Sequence, residues 1–583
     1  MTGDDWSDRL DELFRQEIFL TGDGSPAEGR NVLTYRRLRA VAEALGLDRD
    51  LAADPDRLHP LLARAAVTDP SLFHVLGVHM GAGIGVIAQY GGGAAHDLLA
   101  RLESGAAVAC VLITEEGRGS SHIAQRTHAV FDPATRDFVL DSPDDGARKL
   151  PCTAGLSGVP KIGVTTAAVV VGGVERGVFT FAVELSDENG ARPGVTITPL
   201  APSLLLPGDH AAVSFRGVRV PFDHWLADGA RIDASGGFRD RLGDPDARLL
   251  RTLGFVSDMQ AGASAGAAAV ARAAVGSAIR EAYQRTTMGR LNPGATVISY
   301  QTHQRALFPA LATAYALGRL VEHARSTHHH AATDLGAMSA SPWAAANRLT
   351  ALVKVRATEA AAEVVRTCLT HGTAQTLLTS PLAAYQGLVQ GYALAAGSNQ
   401  LIKLDAGRAM AEGAGYQPPD TALTNPGSRD LLDPELWPHL LCSREALLHR
   451  RLVEALEDSA LEDGSADADE FARWNPRMPT AVELADAHLD RLMLECVLAG
   501  TGAVKDAAAA EAEPLCALLA IDLIRPHLGW YLCAGLLGTG QANIVDDTLA
   551  SLCDRIAPNG RALADLALGI RPPGHDGGAE RTR

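Results

Sequence analysis

Val213-Ser-Phe215-Arg-Gly-Val218-Arg-Val220-Pro221-Phe-Asp223-His-Trp-Leu226 alternates apolar and polar side chains with a period of two, the pattern of a strand with one buried face. Pro221 ends the strand, because proline brings no N–H to a ladder. Segments of the same kind lie upstream: Ala107–Ile113, Asp137–Leu140, Ala167–Val171, Val178–Glu184, Val195–Pro199 and His210–Phe215. They are short, rich in β-branched or aromatic residues, and separated by Gly, Pro, Asp and Asn. This predicts a β-barrel domain over residues 106–240.

Helical periodicity flanks that block on both sides. Trp6, Leu10, Leu13, Phe14 and Ile18 recur at three- and four-residue steps and define one face of a helix. Arg36–Leu45 and Pro60–Ala66 give shorter patterns, so residues 1–105 read as a helical domain. Leu250–Thr287, Gln301–Ser326 and Ser341–His371 are long Ala-rich or 3–4-spaced stretches, predicting a helical bundle over 244–412. A Pro/Gly/Asn-rich break covers Gly413–Pro434. Helical patterning resumes over 436–570, giving a second C-terminal helical domain, 430–575, with a frayed tail. The fold class is α+β, in the order helical, β, helical, helical.

Bulk properties narrow the function. A chain of 583 residues predicts three or four domains. A net charge of −17 argues against a nucleic-acid surface. Eight cysteines with no CxxC pair read as reduced thiols. The N-terminus MTGDDWSDRLDELF is acidic and amphipathic, unlike a signal peptide. No uninterrupted run of about 18 apolar residues is found, Val75–Ala88 being the nearest. These features predict a soluble, cytoplasmic protein that does not enter a membrane.

Four motifs stand out, the second of them structural. Thr114-Glu115-Glu116-Gly117-Arg118-Gly119-Ser120 offers a hydroxyl at each end and glycines that let a ligand lie against backbone. The strand pair quoted first is the second. The third is Arg285-Thr-Thr-Met288-Gly289, followed by Tyr300-Gln301-Thr-His-Gln304 and Leu307-Phe308-Pro309. A guanidinium fork at Arg285 suits a phosphate better than a lysine does. The fourth is Cys368-Leu-Thr-His371-Gly372, then Ala395-Ala396-Gly397-Ser398-Asn399.

Together with the domain order, these motifs resemble the acyl-CoA dehydrogenase/acyl-CoA oxidase superfamily, and the layout is similar to the acyl-CoA oxidases. The resemblance runs by motif from about residue 70 to 410. It implies an FAD-dependent oxidoreductase acting on an acyl substrate (a CoA thioester, a carrier-protein thioester or a free acid), assembled as a homodimer or larger homo-oligomer. Thr114, Gly119, Ser120, Thr153, Arg285, Gln301, His371, Gly372 and Asn399 would then hold FAD. Arg285 would reach the pyrophosphate bound to a neighbouring subunit, and no metal is implied.

One departure bears on mechanism. The family's catalytic glutamate aligns with Ala396, and Gly387–Lys403 contains no Asp or Glu. The base has either moved, with Asp258 near the start of the long helix as the candidate, or is not needed. A β-keto acid makes its own enolate by losing CO2, as in superfamily members that act as decarboxylating desaturases and monooxygenases in natural-product pathways. A degenerate, non-catalytic flavin-fold subunit is a third reading.

Other signals are structural. Gly81-Ala-Gly83-Ile-Gly85 lacks a βαβ context and reads as helix packing. His328-His329-His330 point in different directions along a helix, so they cannot share an ion. Gly119-Ser120-Ser121-His122 lacks a nucleophile elbow, and Glu115-Glu116 has no glycosidase context.

Overall fold

In a computed structural model the described residues are 3–20, 27–93, 95–119, 121, 124–203, 205–206, 208–289, 291–331, 347–373, 376, 381–421, 426–463, 470–503 and 507–568. Ser120, His122, residues 341–346 of the third helical stretch and the C-terminal tail fall outside them. The chain divides into two compact units, Met1–Gly266 and Ala267–Arg571.

The first unit opens with helix α1 (Gly3–Phe14), whose Trp6, Leu10, Leu13 and Phe14 are buried. Ile18 is only half-buried, because the helix stops before it. Helices α2 (Ala27–Leu45), α3 (Pro55–Thr68) and α4 (Pro70–Gly77) follow. Asp54 and Asp69 cap α3 and α4, each ahead of a proline at the first helical turn, the arrangement that best satisfies exposed N–H groups. A π-helical segment, Val78–Gly85, continues α4. Gly83 is needed there, since a Cβ would collide with Ala109. That glycine run is therefore a packing feature.

The β-domain consists of β1 (Val108–Leu112), β2 (His128–Phe131), β3 (Phe138–Asp141), β4 (Lys149–Thr153), β5 (Lys161–Val171), β6 (Val174–Asp187), β7 (Gly190–Ala191), β8 (Val195–Pro199), β9 (His210–Phe215), β10 (Val218–Val220) and β11 (Trp225–Leu226). Among the described residues β10-β3-β2-β5-β6-β11 form one curled sheet, with β1 added on β5 and β7 on β6. A second sheet runs β4-β9-β8. Both bury one core, in which Phe138, Phe179, Phe181, Phe215 and Trp225 meet.

The predicted helix Leu250–Thr287 is two: a short Pro245–Thr252, then α5 (Val256–Gln284). The break falls at Leu253-Gly254-Phe255, where glycine weakens helical propensity. The second unit contains α6 (Gln301–Ala331), α7 (Arg348–Thr370), α8 (Leu382–Tyr392), α9 (Asn399–Ala411), α10 (Leu436–Asp463), α11 (Met478–Ala503), α12 (Ala507–Ile524), α13 (Thr539–Ile556) and α14 (Gly560–Leu568). One of its cores joins α7, α9 and α11 through Leu352, Val355, Ile402, Ala406 and Leu489.

One expectation is corrected. Among the described residues three stretches, Pro70–Tyr90, Pro245–Gln284 and Glu513–Cys533, are long and apolar enough to cross a membrane. Counting only uninterrupted apolar runs missed them, because Gly and Ala carry much of their hydropathy. Burial inside the protein covers 78%, 83% and 50% of their apolar windows.

Candidate active site

The Thr114–Gly119 loop leaves β1 and runs alongside β4. The Thr114 carbonyl accepts from Leu150 N–H at 3.0 Å, and Glu116 N–H donates to the Arg148 carbonyl at 3.0 Å. Glu115 is buried and pairs with buried Lys149 at 3.1 Å. Its carboxylate also accepts N–H bonds from Arg126 (2.7 Å) and Thr127 (2.8 Å). Burial pushes Glu115 up, but Lys149 and those N–H groups outweigh it and hold the carboxyl below its ordinary range. Burial brings Lys149 down to about 8 against the pull of Glu115. Glu115 is thus an anchor for the loop. Glu116 faces outward and pairs with Arg148 at 2.7 Å, so the two acids do separate work.

The loop brings backbone close to backbone. Gly117 N–H donates to the Gly146 carbonyl at 2.8 Å, and a Cβ on Gly117 would stand 3.1 Å from that oxygen. Gly119 has φ +54°, a left-handed conformation that glycine adopts without strain. Thr153 closes β4; its hydroxyl is buried and makes no hydrogen bond.

Beneath Thr153 lies a charged cluster that the sequence reading did not single out. Lys161 is fully buried. Its ammonium donates to the Thr153 carbonyl at 2.7 Å and pairs with Asp209 at 3.2 Å. The Tyr35 hydroxyl binds both Asp209 and Lys161. The signal was present as a lone lysine in the apolar run Val159-Pro-Lys161-Ile-Gly-Val164, since lysine is rarely buried unless paired.

In the helical unit, two of the motifs meet. Arg285 follows α5, and its guanidinium donates to the His371 carbonyl at 3.2 Å and the Gly372 carbonyl at 3.4 Å. These oxygens lie at the C-terminal end of α7, where a cation is favoured. Arg285 Nε is buried without a partner. The His371 ring meets His303 edge-on at 4.9 Å. Burial, then Arg285, pushes His371 down; burial, then His371 and Arg285, does the same to His303. Gln301 is exposed at the start of α6, its amide donating to Asp554 of α13 at 2.8 Å.

Ala396 and Gly397 make the turn between α8 and α9, with φ +55° and +93°. A non-glycine residue in that region is uncommon and carries strain. Asn399 locks the turn to α7, accepting from Lys354 Nζ at 2.9 Å and donating to Thr358 Oγ1 at 3.0 Å. Lys354 Nζ also donates to the Gly397 carbonyl at 2.5 Å, and burial brings the amine down to about 7. Like Lys161, Lys354 was legible only as a cation inside an apolar helix face. Asp258 is exposed in the first turn of α5, a place where the helix dipole favours an acid.

The helical part matches two families: "acyl-CoA oxidase, C-alpha1 domain" over residues 257–411 and "acyl-CoA oxidase" over 439–567. The chain is 26% identical over 489 residues to a putative peroxisomal acyl-coenzyme A oxidase 1.2 of Arabidopsis thaliana, covering 79% of this chain and 71% of that one. Its fold is similar to acyl-CoA oxidase 3 of Yarrowia lipolytica (TM-score 0.82, 19% identity, 97% of this chain and 84% of that chain). It is also similar to acyl-CoA oxidase 2 of Caenorhabditis elegans bound with FAD, ascaroside-CoA and ATP (TM-score 0.79, 19% identity, 96% and 85%). These relatives overturn the expectation of a cytoplasmic protein: the Arabidopsis oxidases are named peroxisomal. On motifs, fold and family matches together, the chain belongs to the acyl-CoA dehydrogenase/acyl-CoA oxidase superfamily, on its acyl-CoA oxidase side.

Proposed function

We propose that this flavin-dependent oxidoreductase binds FAD and oxidises an acyl thioester at Cα–Cβ without a glutamate at position 396. The observation that supports it most is the Thr114–Gly119 loop beside the unpartnered, buried hydroxyl of Thr153. Glycine at 117 and 119 leaves backbone open to a flat ring, and a buried hydroxyl without a partner is costly unless a ligand completes it. The residues present therefore fit the cofactor. Thr114, Gly119, Ser120 and Thr153 would hold its isoalloxazine end. Arg285, with His371, Gly372 and Gln301, would hold the pyrophosphate and adenosine of an FAD carried by a second copy of the chain. When bound, FAD supplies the acceptor for a hydride equivalent from Cβ.

The protein's own part is positioning and charge. Glu115 and Lys149 fix the loop, and Lys161 with Asp209 fixes the Thr153 backbone. Arg285 offers a fork of donors, held in place by two carbonyls. Ala396 has no proton to exchange, so the α-proton must leave by another route. Asp258 is the one carboxylate proposed for it. A specific observation favours a second reading: the 395–399 turn rests on the Lys354 amine and has no carboxylate between Gly387 and Lys403. A substrate that forms its enolate by losing CO2, a β-keto acid, would need no base there.

Purification and turnover test these readings. The protein should be yellow, and oxygen uptake with acyl-CoA and no CO2 release supports the first reading. CO2 release with β-keto acids supports the second. A colourless protein that takes up no FAD on reconstitution overturns both and leaves a non-catalytic subunit. Asp258→Asn with unchanged turnover removes Asp258 as the base.

A further inference from the structure

The C-terminal helices α13 and α14 lie against the elbow where α5 gives way to α6. α5 ends at Gln284 and α6 begins at Gln301. Between them the chain doubles back. Val297 N–H donates to the Arg285 carbonyl at 2.8 Å, Thr287 N–H donates to the Ala295 carbonyl at 2.9 Å, and Thr286 pairs with Thr296 as an antiparallel bridge. The elbow thus carries Arg285 on one limb and delivers Gln301 at the end of the other. The C-terminal helices hold it from outside. The Tyr283 hydroxyl donates to the Ala557 carbonyl. Gly560 packs so closely that a Cβ there would stand 2.9 Å from the Phe308 ring. Arg305 donates to Asp546 at 2.8 Å, and Gln301 Nε2 donates to Asp554 Oδ1 at 2.8 Å.

The last of these bonds decides how Gln301 faces. A carboxylate only accepts, so the amide nitrogen, not the amide oxygen, must meet Asp554. Oε1 then forms the other branch of the carboxamide, and among the described residues nothing donates to it. Gln301 and Asp554 are both exposed, so a ligand can reach that oxygen. An exposed polar pair contributes little to folding. Its effect is on orientation: without Asp554 the carboxamide is able to turn over and present nitrogen where oxygen stood.

The FAD reading above puts the adenosine end of the cofactor at Gln301, and this inference rests on it. An adenosine carries donors, its ribose hydroxyls and its exocyclic amine, and each is best met by an acceptor. We propose that Asp554 is a positioning residue: it holds the Gln301 carboxamide so that Oε1, and not Nε2, meets a donor of the adenosine. The second C-terminal domain then takes part in cofactor binding through α13, acting on α6 rather than on FAD itself. Asp554 lies 253 residues from Gln301, outside the motifs.

The test is a double-mutant cycle on the full-length apoprotein, read as FAD dissociation constants from flavin fluorescence. Gln301→Ala should weaken FAD binding roughly fivefold to tenfold, the scale of one hydrogen bond. Asp554→Ala should weaken it at least about threefold, and the double variant should bind no more weakly than Gln301→Ala alone. Asp554→Asn, whose Oδ1 still accepts from Nε2, should stay near wild type. FMN, which ends before the adenosine, should bind wild type and Asp554→Ala alike, and the apoprotein melting temperature should not move. Unchanged or tighter FAD binding by Asp554→Ala overturns the inference, as do losses that multiply in the double variant or a loss in Asp554→Asn as large as in Asp554→Ala. Both side chains are exposed, so the variants should fold. No FAD binding by wild type would overturn the cofactor reading and this inference with it, whereas normal wild-type binding with multiplying losses overturns the inference alone.

Discussion

Lys354 illustrates what a single buried charge does here. Folded, its amine is brought down to about 7, against 10.5 for a free lysine. Between those values the unfolded chain binds the extra proton, so stability rises with pH, by up to about 1.4 kcal/mol per unit. Melting temperatures measured from pH 6.5 to 10 should climb for wild type and flatten for Lys354→Met. Lys149, held at about 8, leaves a smaller rise of the same sign. Position 396 offers a second test at this scale. Ala396→Glu keeps a non-glycine residue at φ +55°, so the backbone cost is unchanged and a carboxylate is gained. If the missing base limits acyl-CoA turnover, the rate should rise by about 100-fold, the lower end for general-base catalysis; an unchanged rate would mean the proton leaves elsewhere. Arg285, His371 and Asn399 were legible in the sequence because guanidinium, turn and amide carry recognisable local patterns. Lys161, Asp209 and Lys354 were not, since their meaning lies in partners 43 to 48 residues away.

At the level of elements, the sequence was most informative where periodicity was long. α1, α6, β6 and β9 stand near their expected places, β6 extending from Val174 to Asp187. β2 and β4 were missed for physical reasons. β2 has only four residues, one of them Ala129, a residue depleted in strands. β4 contains Lys149 and Pro151, residues that strands disfavour. Its Lys149 is accommodated by Glu115, and the register shifts between Lys149 and Cys152. The π-helical segment packs on β1 through Gly83, so Gly83→Ala should cost about 1–3 kcal/mol in urea unfolding, the range for overpacked cores. Ala109→Gly in the same chain should recover much of the loss, because it removes the atom that the new methyl meets.

For the whole molecule, the expectation of reduced thiols holds: all eight cysteines are free, and only Cys533 is exposed. A thiol reagent should label one site rapidly in the native protein and all eight after denaturation, and dithiothreitol should leave the melting temperature unchanged. Fast native labelling of several sites would contradict the burial described. The π-helical segment has a further consequence for the first unit. An α-helix turns about 100° per residue, whereas a π-turn spends one residue more on each hydrogen-bonded ring. Deleting one residue between Val78 and Gly85 would remove the residue that the π-turn absorbs, let that stretch wind as ordinary helix and leave Val86–Tyr90 facing nearly as they do now. Buried Val86 and Ile87 would stay inward, so a homologue shorter by one residue there could keep that corner, whereas the same deletion inside an ordinary helix would turn everything after it by about 100°.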